Sequence, residues 1–458
     1  MGIQQEGQAA ISAEAVIDAS QINGFNVRVA LLGALVLFMD GFDTQVIGYI
    51  TPQIVKAWNI PTAALGPIFS SGLAGVLVGQ LCIAPLANRY GHRSLIILCT
   101  VIFGLLTMIT TFAGSTEILI ALRFLTGIGL GGAQPLASAM IGEFCPKSWR
   151  STFVVFGNCG VTLGSMFAGV LSASLLSNYG WQPVLWVGGA LPVALAVILL
   201  FAMPDSLAYL SVTRAGYDEV RRIMQKIAPK GTLSPETRIV VEPKQSPSAA
   251  IAEIFRGKRL LGTLALWVGF FTNLMIYYFV QNWLTTLLVN SGQTQQTAIT
   301  IASMIQVGGL TAAFVVGPMM DRLNPYWTLA LFFAGSALFV GLTGGAAFLS
   351  ATTAIIISFC VGFCLLGITK GMAAVTVHFY PPTLRSAGLG FGLGVGRTGA
   401  VVGPLVAGLL LTSGWTAPWL FYISSIPLLL GALALLFMSW RYRGRARVEF
   451  ATLQASQV

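Results

Sequence analysis

The stretch Glu143-Phe-Cys-Pro-Lys-Ser-Trp-Arg150-Ser151 returns 235 residues later as His378-Phe-Tyr-Pro-Pro-Thr-Leu-Arg385-Ser386. Phe, Pro, Arg and Ser recur in register, and Gly157 falls on Gly392 at the same offset. A second pair, Pro85-Leu-Ala-Asn-Arg89 and Pro318-Met-Met-Asp-Arg322, is offset by 233. A nearly constant offset is the mark of an internal duplication. Chance likeness among Gly-rich segments is the competing account, and the repeated Pro–Arg spacing argues against it.

The surroundings of these repeats say where they sit. Of 458 residues, 55% are hydrophobic and 9% charged, with mean hydropathy +0.81. A water-soluble surface needs far more charge, about 25% of residues in ordinary domains. The apolar residues fall in blocks long enough for a membrane helix, which needs roughly 20 residues at about 1.5 Å rise each. Twelve spans are predicted, near 27–50, 63–86, 94–113, 118–141, 152–175, 182–203, 259–289, 297–320, 326–348, 351–379, 386–411 and 417–440. The duplication then relates spans 2–5 to spans 8–11. The expected organisation is a tail (1–26), a six-helix bundle (27–203), a linker (204–257), a second bundle (258–440) and a tail (441–458). Within the linker, one amphipathic helix is expected from Ser206 to Ile227.

The net charge of +10 could suggest nucleic acid, but its placement speaks for topology. Arg89, Arg93, Lys147, Arg150, Arg322 and Arg385 follow spans 2, 4, 8 and 10. More Lys and Arg run from Arg214 to Arg259, and Arg441 to Arg447 follow span 12. The loops after spans 3, 5, 7, 9 and 11 hold none, and Lys56 is the exception after span 1. Excess positive charge marks the cytoplasmic side, so both termini are expected there. The first 25 residues lack the basic start and apolar run of a cleaved signal, and span 1 is expected to direct insertion. The six cysteines lie in or beside spans and read as packing residues, neither a disulfide framework nor a metal site.

With two six-span repeats in view, the chain resembles the major facilitator superfamily over nearly its whole length. The Pro85–Arg93 loop, PLANRYGHR, is similar to that superfamily's loop between spans 2 and 3. Asn88 stands where the family has an acid; the second copy keeps Asp321-Arg322. Within the superfamily, Met39-Asp-Gly-Phe-Asp43 resembles the aromatic acid:proton symporter family, which includes 4-hydroxybenzoate and protocatechuate permeases. Arg123-Phe-Leu-Thr-Gly-Ile-Gly-Leu-Gly-Gly-Ala-Gln-Pro135, Phe379-Tyr-Pro381 with Arg385, and Gly394-Val-Gly-Arg397-Thr-Gly399 match as well. Departures are Pro204-Asp-Ser-Leu, where the family often has Pro-Glu-Ser-Pro, and Lys370, where a neutral amide is usual. The resemblance implies an all-α membrane protein of the major facilitator fold, twelve helices in two repeats around a central cavity. It implies a bacterial inner-membrane importer of an aromatic carboxylate, driven by protons, with no metal or other cofactor. It also implies that the loop residues Asn88, Arg89 and Arg93 make charge contacts between the halves that control switching. A monomer in the lipid bilayer is expected, with no nucleic-acid partner.

Charges inside spans are costly and mark function or pairing. Asp40 and Asp43, three apart, share a helix face. They lie at a depth similar to Arg123 on span 4. Two close carboxylates resist double ionisation, which suits a proton carrier. The alternative is a static Asp–Arg pair that clamps spans 1 and 4. Arg397 lies near the midplane of span 11, where its fork of donors fits a carboxylate. Lys370 on span 10 is a second cation that could assist, or simply snorkel. A protein acid could equally be the partner of Arg397. Phe42 and Tyr277 are candidate ring contacts, as are Phe38, Phe270, Phe271, Tyr278, Trp283 and Phe391, although most membrane aromatics only pack. Gln134, Asn158, Asn273, Gln281, Asn282 and Gln306 could bond a ring hydroxyl. Glu143, Arg150, His378 and Arg385 are read, with Asp321 and Arg322, as gate or topology residues. Rival functions are import of a non-aromatic anion such as a muconate-like acid, or drug:proton antiport. The antiport pattern Gly-Pro-x-x-Gly-Gly is absent from span 5, which reads Gly157-Asn-Cys-Gly160-Val-Thr-Leu-Gly164. No phosphate loop or His/Glu metal pair supports an enzyme.

Overall fold

The computed structural model describes residues 10–212, 216–228, 238–240, 254, 259–345, 350–381 and 384–442. Twelve of its helices are long and apolar enough to cross a membrane. In order they are Gly24–Trp58, Leu65–Leu86, His92–Phe112, Thr116–Glu143, Lys147–Tyr179 and Gln182–Ala202, then Leu260–Asn290, Gln295–Arg322, Pro325–Thr343, Ala351–Phe379, Arg385–Thr412 and Ala417–Arg441. These are spans 1 to 12 below. Most boundaries lie within a few residues of those read from hydropathy. Span 1 runs on to Trp58, beyond the expected 50, as one continuing helix in which Thr51 donates to the Ile47 carbonyl and Gln53 to the Leu176 carbonyl of span 5.

The starts follow from capping chemistry. Asn23 and Asn26 close a reciprocal cap on span 1, and Ser115, Thr294, Asn324 and Ser350 cap spans 4, 8, 9 and 10. Gly91, at φ 86°, turns the chain between spans 2 and 3, a conformation most side chains resist.

Packing repeats with the sequence. Span 1 lies on span 5, span 2 on span 4 and span 3 on span 6; span 7 lies on span 11, span 8 on span 10 and span 9 on span 12. Small residues allow these approaches. A Cβ on Gly41 would meet the Val161 backbone, and one on Gly362 would meet that of Ile305. Gly362→Ala should therefore pry spans 8 and 10 apart at a cost of about 1–3 kcal/mol. Gly317→Ala, with nothing within 4 Å of its new methyl, should be neutral or gain up to about 1 kcal/mol. Thermal melting of the purified variants in detergent checks the contrast.

The halves are joined at one end. One buried cluster runs through residues of both halves, from Val46, Ile50 and Leu65 in the first to Trp283, Leu284 and Ile301 in the second. A separate cluster, with Leu37, Ile96, Leu136 and Met140, belongs to the first half alone. It lies toward the end that carries the basic loops. Among the described residues the basic ends of the two bundles thus share no core, the pattern of two bundles that part at that end. The far end is closed by Ser70 Oγ on the Val401 carbonyl (2.8 Å), Tyr49 OH against Ser303 Oγ (3.1 Å) and Trp283 Nε1 on the Pro404 carbonyl (3.1 Å).

The segment before span 1 carries structure of its own. Ala10–Ser12 pairs in parallel with Arg238–Val240 of the linker, and Ala13–Asp18 forms a short helix. The linker reads as two helices, Leu207–Val212 and Gly216–Ile227, where one was expected. Their apolar residues Leu207, Leu210, Ile223 and Met224 join the first-half core. Residues 213–215 and 443–458, with Arg443, Arg445 and Arg447, and most of 229–258 lie outside the described residues.

Candidate functional site

Span 11 brings Arg397 to the inner end of the open space. The many glycines of this helix make room: Gly396 and Gly399 sit against Phe270 and Phe271 of span 7, and no atom lies within 4 Å of a methyl built on Gly390 or Gly394. Arg397 is half-buried and its guanidinium bridges the halves. Nη1 donates to Tyr278 OH (2.8 Å) and Nη2 to Gln134 Oε1 (2.7 Å). Gln80 Nε2 donates to the same Gln134 oxygen (3.2 Å), fixing the amide with its oxygen toward the arginine. Its hydrogen-bonding partners here are neutral groups, neither of the two partners weighed from the sequence, and both contacts are ones that a carboxylate can supplement or displace.

The two aspartates of span 1 have different surroundings. Asp43 is gripped: Arg123 Nη1 reaches Oδ2 at 3.3 Å, and Thr107 Oγ1 donates to Oδ1 at 2.6 Å. Arg123 is held in turn by Thr110 Oγ1 (3.3 Å). Asp43 and Arg123 are 3% and 4% exposed, so this is a buried ion pair linking spans 1, 3 and 4. Asp40 is also buried, and among the described residues no side chain hydrogen-bonds to it. The charges of Arg397 and Asp43 both act on it. The sequence placed Asp40, Asp43 and Arg123 at one depth; only the folded chain shows which carboxylate the arginine takes.

Tyr277 is half-buried, edge-on to Tyr278 at 5.0 Å, and its hydroxyl accepts from Gln306 Nε2 at 3.4 Å. Gln306 also donates to Gln45 Oε1 (3.2 Å), a link from span 8 to span 1. Phe42 is fully buried, packed against Phe167 at 6.0 Å and over Gly188, so its ring faces spans 5 and 6. Trp283 and Gln281 lie in the far-end closure. Asn273 donates to Thr369 (2.7 Å) and Asn158 to the Val154 carbonyl (2.8 Å). Lys370 is half-buried on span 10, with the Cys159 thiol of span 5 within its electrostatic reach.

The basic-end residues separate by half. Arg93 donates its backbone N–H to Asp205 Oδ1 (3.3 Å) and its guanidinium to the Leu200 carbonyl. Glu143 accepts from Ser206 Oγ at 3.0 Å. The Pro204-Asp-Ser-Leu stretch thus anchors both in this conformation. Arg89 is exposed, 5.4 Å over the Tyr90 ring. Arg150 is half-buried beside Cys145. Asp321, Arg322 and His378 are exposed, and Arg385 Nε donates to the Tyr380 carbonyl (3.2 Å). The side chain of Asn88 lies outside the described residues.

Sequence reasoning passed over Gln45, Gln80, Thr107 and Thr110. Glutamine in an apolar span carries the same signal as a charge, a polar group that needs a partner. Threonine carries none, because it can bond its own helix, as Thr110 also does to the Leu106 carbonyl.

Comparison with known proteins agrees with this architecture. The chain is 36% identical over 430 residues to the 4-hydroxybenzoate transporter PcaK of Pseudomonas aeruginosa, covering 93% of this chain and 95% of that one. It is 34% identical over 422 residues to a gallate transporter of Pseudomonas putida, covering 92% and 93%. A solved bacterial homolog of the human lysosomal transporter Spinster, inward-facing and occupied, superposes with TM-score 0.65 at 17% identity over 93% of this chain and 98% of that one. The model of the Major Facilitator Superfamily matches residues 33–370 and 291–454. Twelve apolar helices, a duplicated packing pattern and these matches identify the chain as a member of the Major Facilitator Superfamily, a multi-pass membrane transporter.

Proposed function

We propose that this transporter imports an aromatic carboxylate of the benzoate or hydroxybenzoate type together with a proton. The observation that carries the reading is Arg397, held at the closed end of the cavity by Gln134 and Tyr278. Its fork suits the substrate carboxylate. Tyr277 and Tyr278 offer ring edges and faces to an aromatic body, and Gln134 and Gln306 offer amides to its hydroxyls. Lys370 adds positive potential on the route from the basic end. Phe42 acts behind this wall, setting the packing of span 1. The names of the relatives, which concern hydroxybenzoate and gallate, favour a ring over an aliphatic diacid.

The proton is carried by the carboxylates of span 1. Asp40, ungripped and under the influence of Arg397, takes it up when the anion neutralises that arginine's charge. Asp43 and Arg123 form the electrostatic frame around it. The gradient is the energy source, and no metal or other cofactor takes part. The basic loops favour an orientation with the open end and both termini in the cytoplasm of a bacterial inner membrane, and a monomer is sufficient for alternating access. In switching, the basic ends close: Asp321, Arg322, His378 and Arg385 of the second half meet Asn88, Arg89, Arg93, Glu143 and Arg150 of the first.

The test is uptake of radiolabelled 4-hydroxybenzoate by energised cells expressing the chain. Saturable uptake abolished by a protonophore is expected. Uptake that ignores the protonophore would refute coupling. Absence of uptake, with the protein shown in the membrane and a muconate-type diacid accumulated instead, would refute the aromatic substrate.

A further inference from the structure

A small cavity lies apart from Arg397, among spans 1, 2, 4 and 7. Its volume is about 40 Å³, and Asp43, Thr44, Phe69, Gly72, Arg123 and Asn282 are among its walls. A buried water needs about 10–15 Å³ of such space and two to four polar partners. The volume has room for about two or three waters.

The walls supply the partners. Arg123 Nε is buried and without a hydrogen-bond partner, although the rest of the guanidinium is engaged by Asp43 and Thr110. Asn282 gives its amide N–H to the Tyr278 carbonyl (2.9 Å), which leaves its side-chain oxygen unpaired among the described residues. The Thr44 hydroxyl, on the turn after Asp43, likewise has no bond from them. A buried donor left unsatisfied costs about 1–3 kcal/mol, and Arg123 Nε is one; beside the Asn282 oxygen and the Thr44 hydroxyl it favours a guest that can both donate and accept.

The chamber has a position as well as a content. Toward the far end, Phe69 meets Trp283 edge-on at 5.4 Å. Toward the substrate cavity, Leu73 packs with Leu274, Tyr278 and Ala400. The chamber is thus one side chain away from each compartment, with Asp43 in its wall.

We propose that this chamber binds a short chain of waters and is the port through which a proton from the far end reaches Asp43. The inference rests on the proton-coupled reading above and names its route. When the far end opens, Phe69 and Trp283 part and the waters meet bulk solvent. A hydronium ion gives one proton to Asp43 Oδ2: an O–H bond forms on the carboxyl, one breaks on the hydronium, and water remains. The carboxyl becomes neutral, and Arg123, losing its anion, keeps Thr110 and gains water at Nε. The proton can pass to Asp40 on the same helix face. Leu73 keeps the route closed to the substrate cavity, so protons do not leak through.

Filling or drying the chamber tests this. Gly72→Val adds bulk to its wall, and the first methyl meets no atom closer than 3.7 Å. Thr44→Val keeps shape and removes a hydroxyl. Each variant is reconstituted in proteoliposomes with 4-hydroxybenzoate as probe. Two rates are read: accumulation driven by an imposed pH gradient, and counterflow of labelled against unlabelled substrate with no gradient. Gradient-driven accumulation should fall at least tenfold in Gly72→Val and several-fold in Thr44→Val. Counterflow should stay within twofold, because exchange needs no net proton movement. Wild-type rates of accumulation in both variants, or parallel loss of counterflow, would overturn the chamber while leaving coupled transport intact. A wild-type protein indifferent to the pH gradient would instead remove the coupled reading itself, and the port with it.

Discussion

Arg397→Ala is expected to lower 4-hydroxybenzoate uptake by at least ~100-fold at sub-saturating substrate, with normal insertion in the membrane. The size follows from what the side chain offers. Two charge-assisted hydrogen bonds to a carboxylate are worth about 1.5–3 kcal/mol each, and every ~1.4 kcal/mol is a factor of ten. The hydrogen-bond partners left behind, Gln134 and Tyr278, are neutral, so truncation breaks no ion pair. Folding should therefore survive, and the melting temperature of the purified variant should match the wild type. Arg397→Lys keeps the charge and loses the fork, and roughly a tenfold loss is expected. Uptake by Arg397→Ala within a few-fold of wild type would show that the carboxylate is anchored elsewhere, with Lys370 the next cation to examine.

The second large effect separates the two aspartates. Asp43→Asn removes the anion from a pair in which both partners are almost wholly buried. Breaking such a pair from one side costs about 3–5 kcal/mol, because the remaining charge has no counter-ion. The asparagine oxygen can still accept from Thr107 or Arg123, which places the loss near the lower figure. Melting should drop clearly and gradient-driven uptake should cease. Asp40→Asn removes a carboxylate to which no described side chain hydrogen-bonds, so melting should hardly move. Its gradient-driven uptake should nevertheless fall by at least tenfold, with counterflow retained. The measurement is a melting curve beside the two transport rates for each variant. Equal destabilisation of both would contradict the difference in their surroundings. Protonophore-sensitive accumulation by both would show that neither carboxylate carries the proton.

The sequence by itself determined the number of spans, their order and their division into two related sets of six. It could do so because hydropathy is a local sum and a repeat is a local comparison. The Glu143–Ser151 stretch and its copy at His378–Ser386 need no knowledge of neighbours in space. The charged residues within spans were legible for the same reason, since each is an exception in its own apolar window. Which of them meet was not. Asp40 and Asp43 share one face of span 1, yet the partners that distinguish them, Thr107, Thr110 and Arg123, come from spans 3 and 4. Gln134 meets Arg397 across 263 residues of chain, and Gln306 meets Gln45 across 261. Phe42 and Tyr277 look alike as aromatics in apolar helices, and only the rotation of each helix turns one ring into the bundle and leaves the other near the cavity. That rotation is set by where glycines let backbones touch, as Gly41 does against Val161. The sequence thus decided what each helix is, and tertiary packing decided which face each one turns inward, because contact depends on the shapes of two surfaces that only folding brings together.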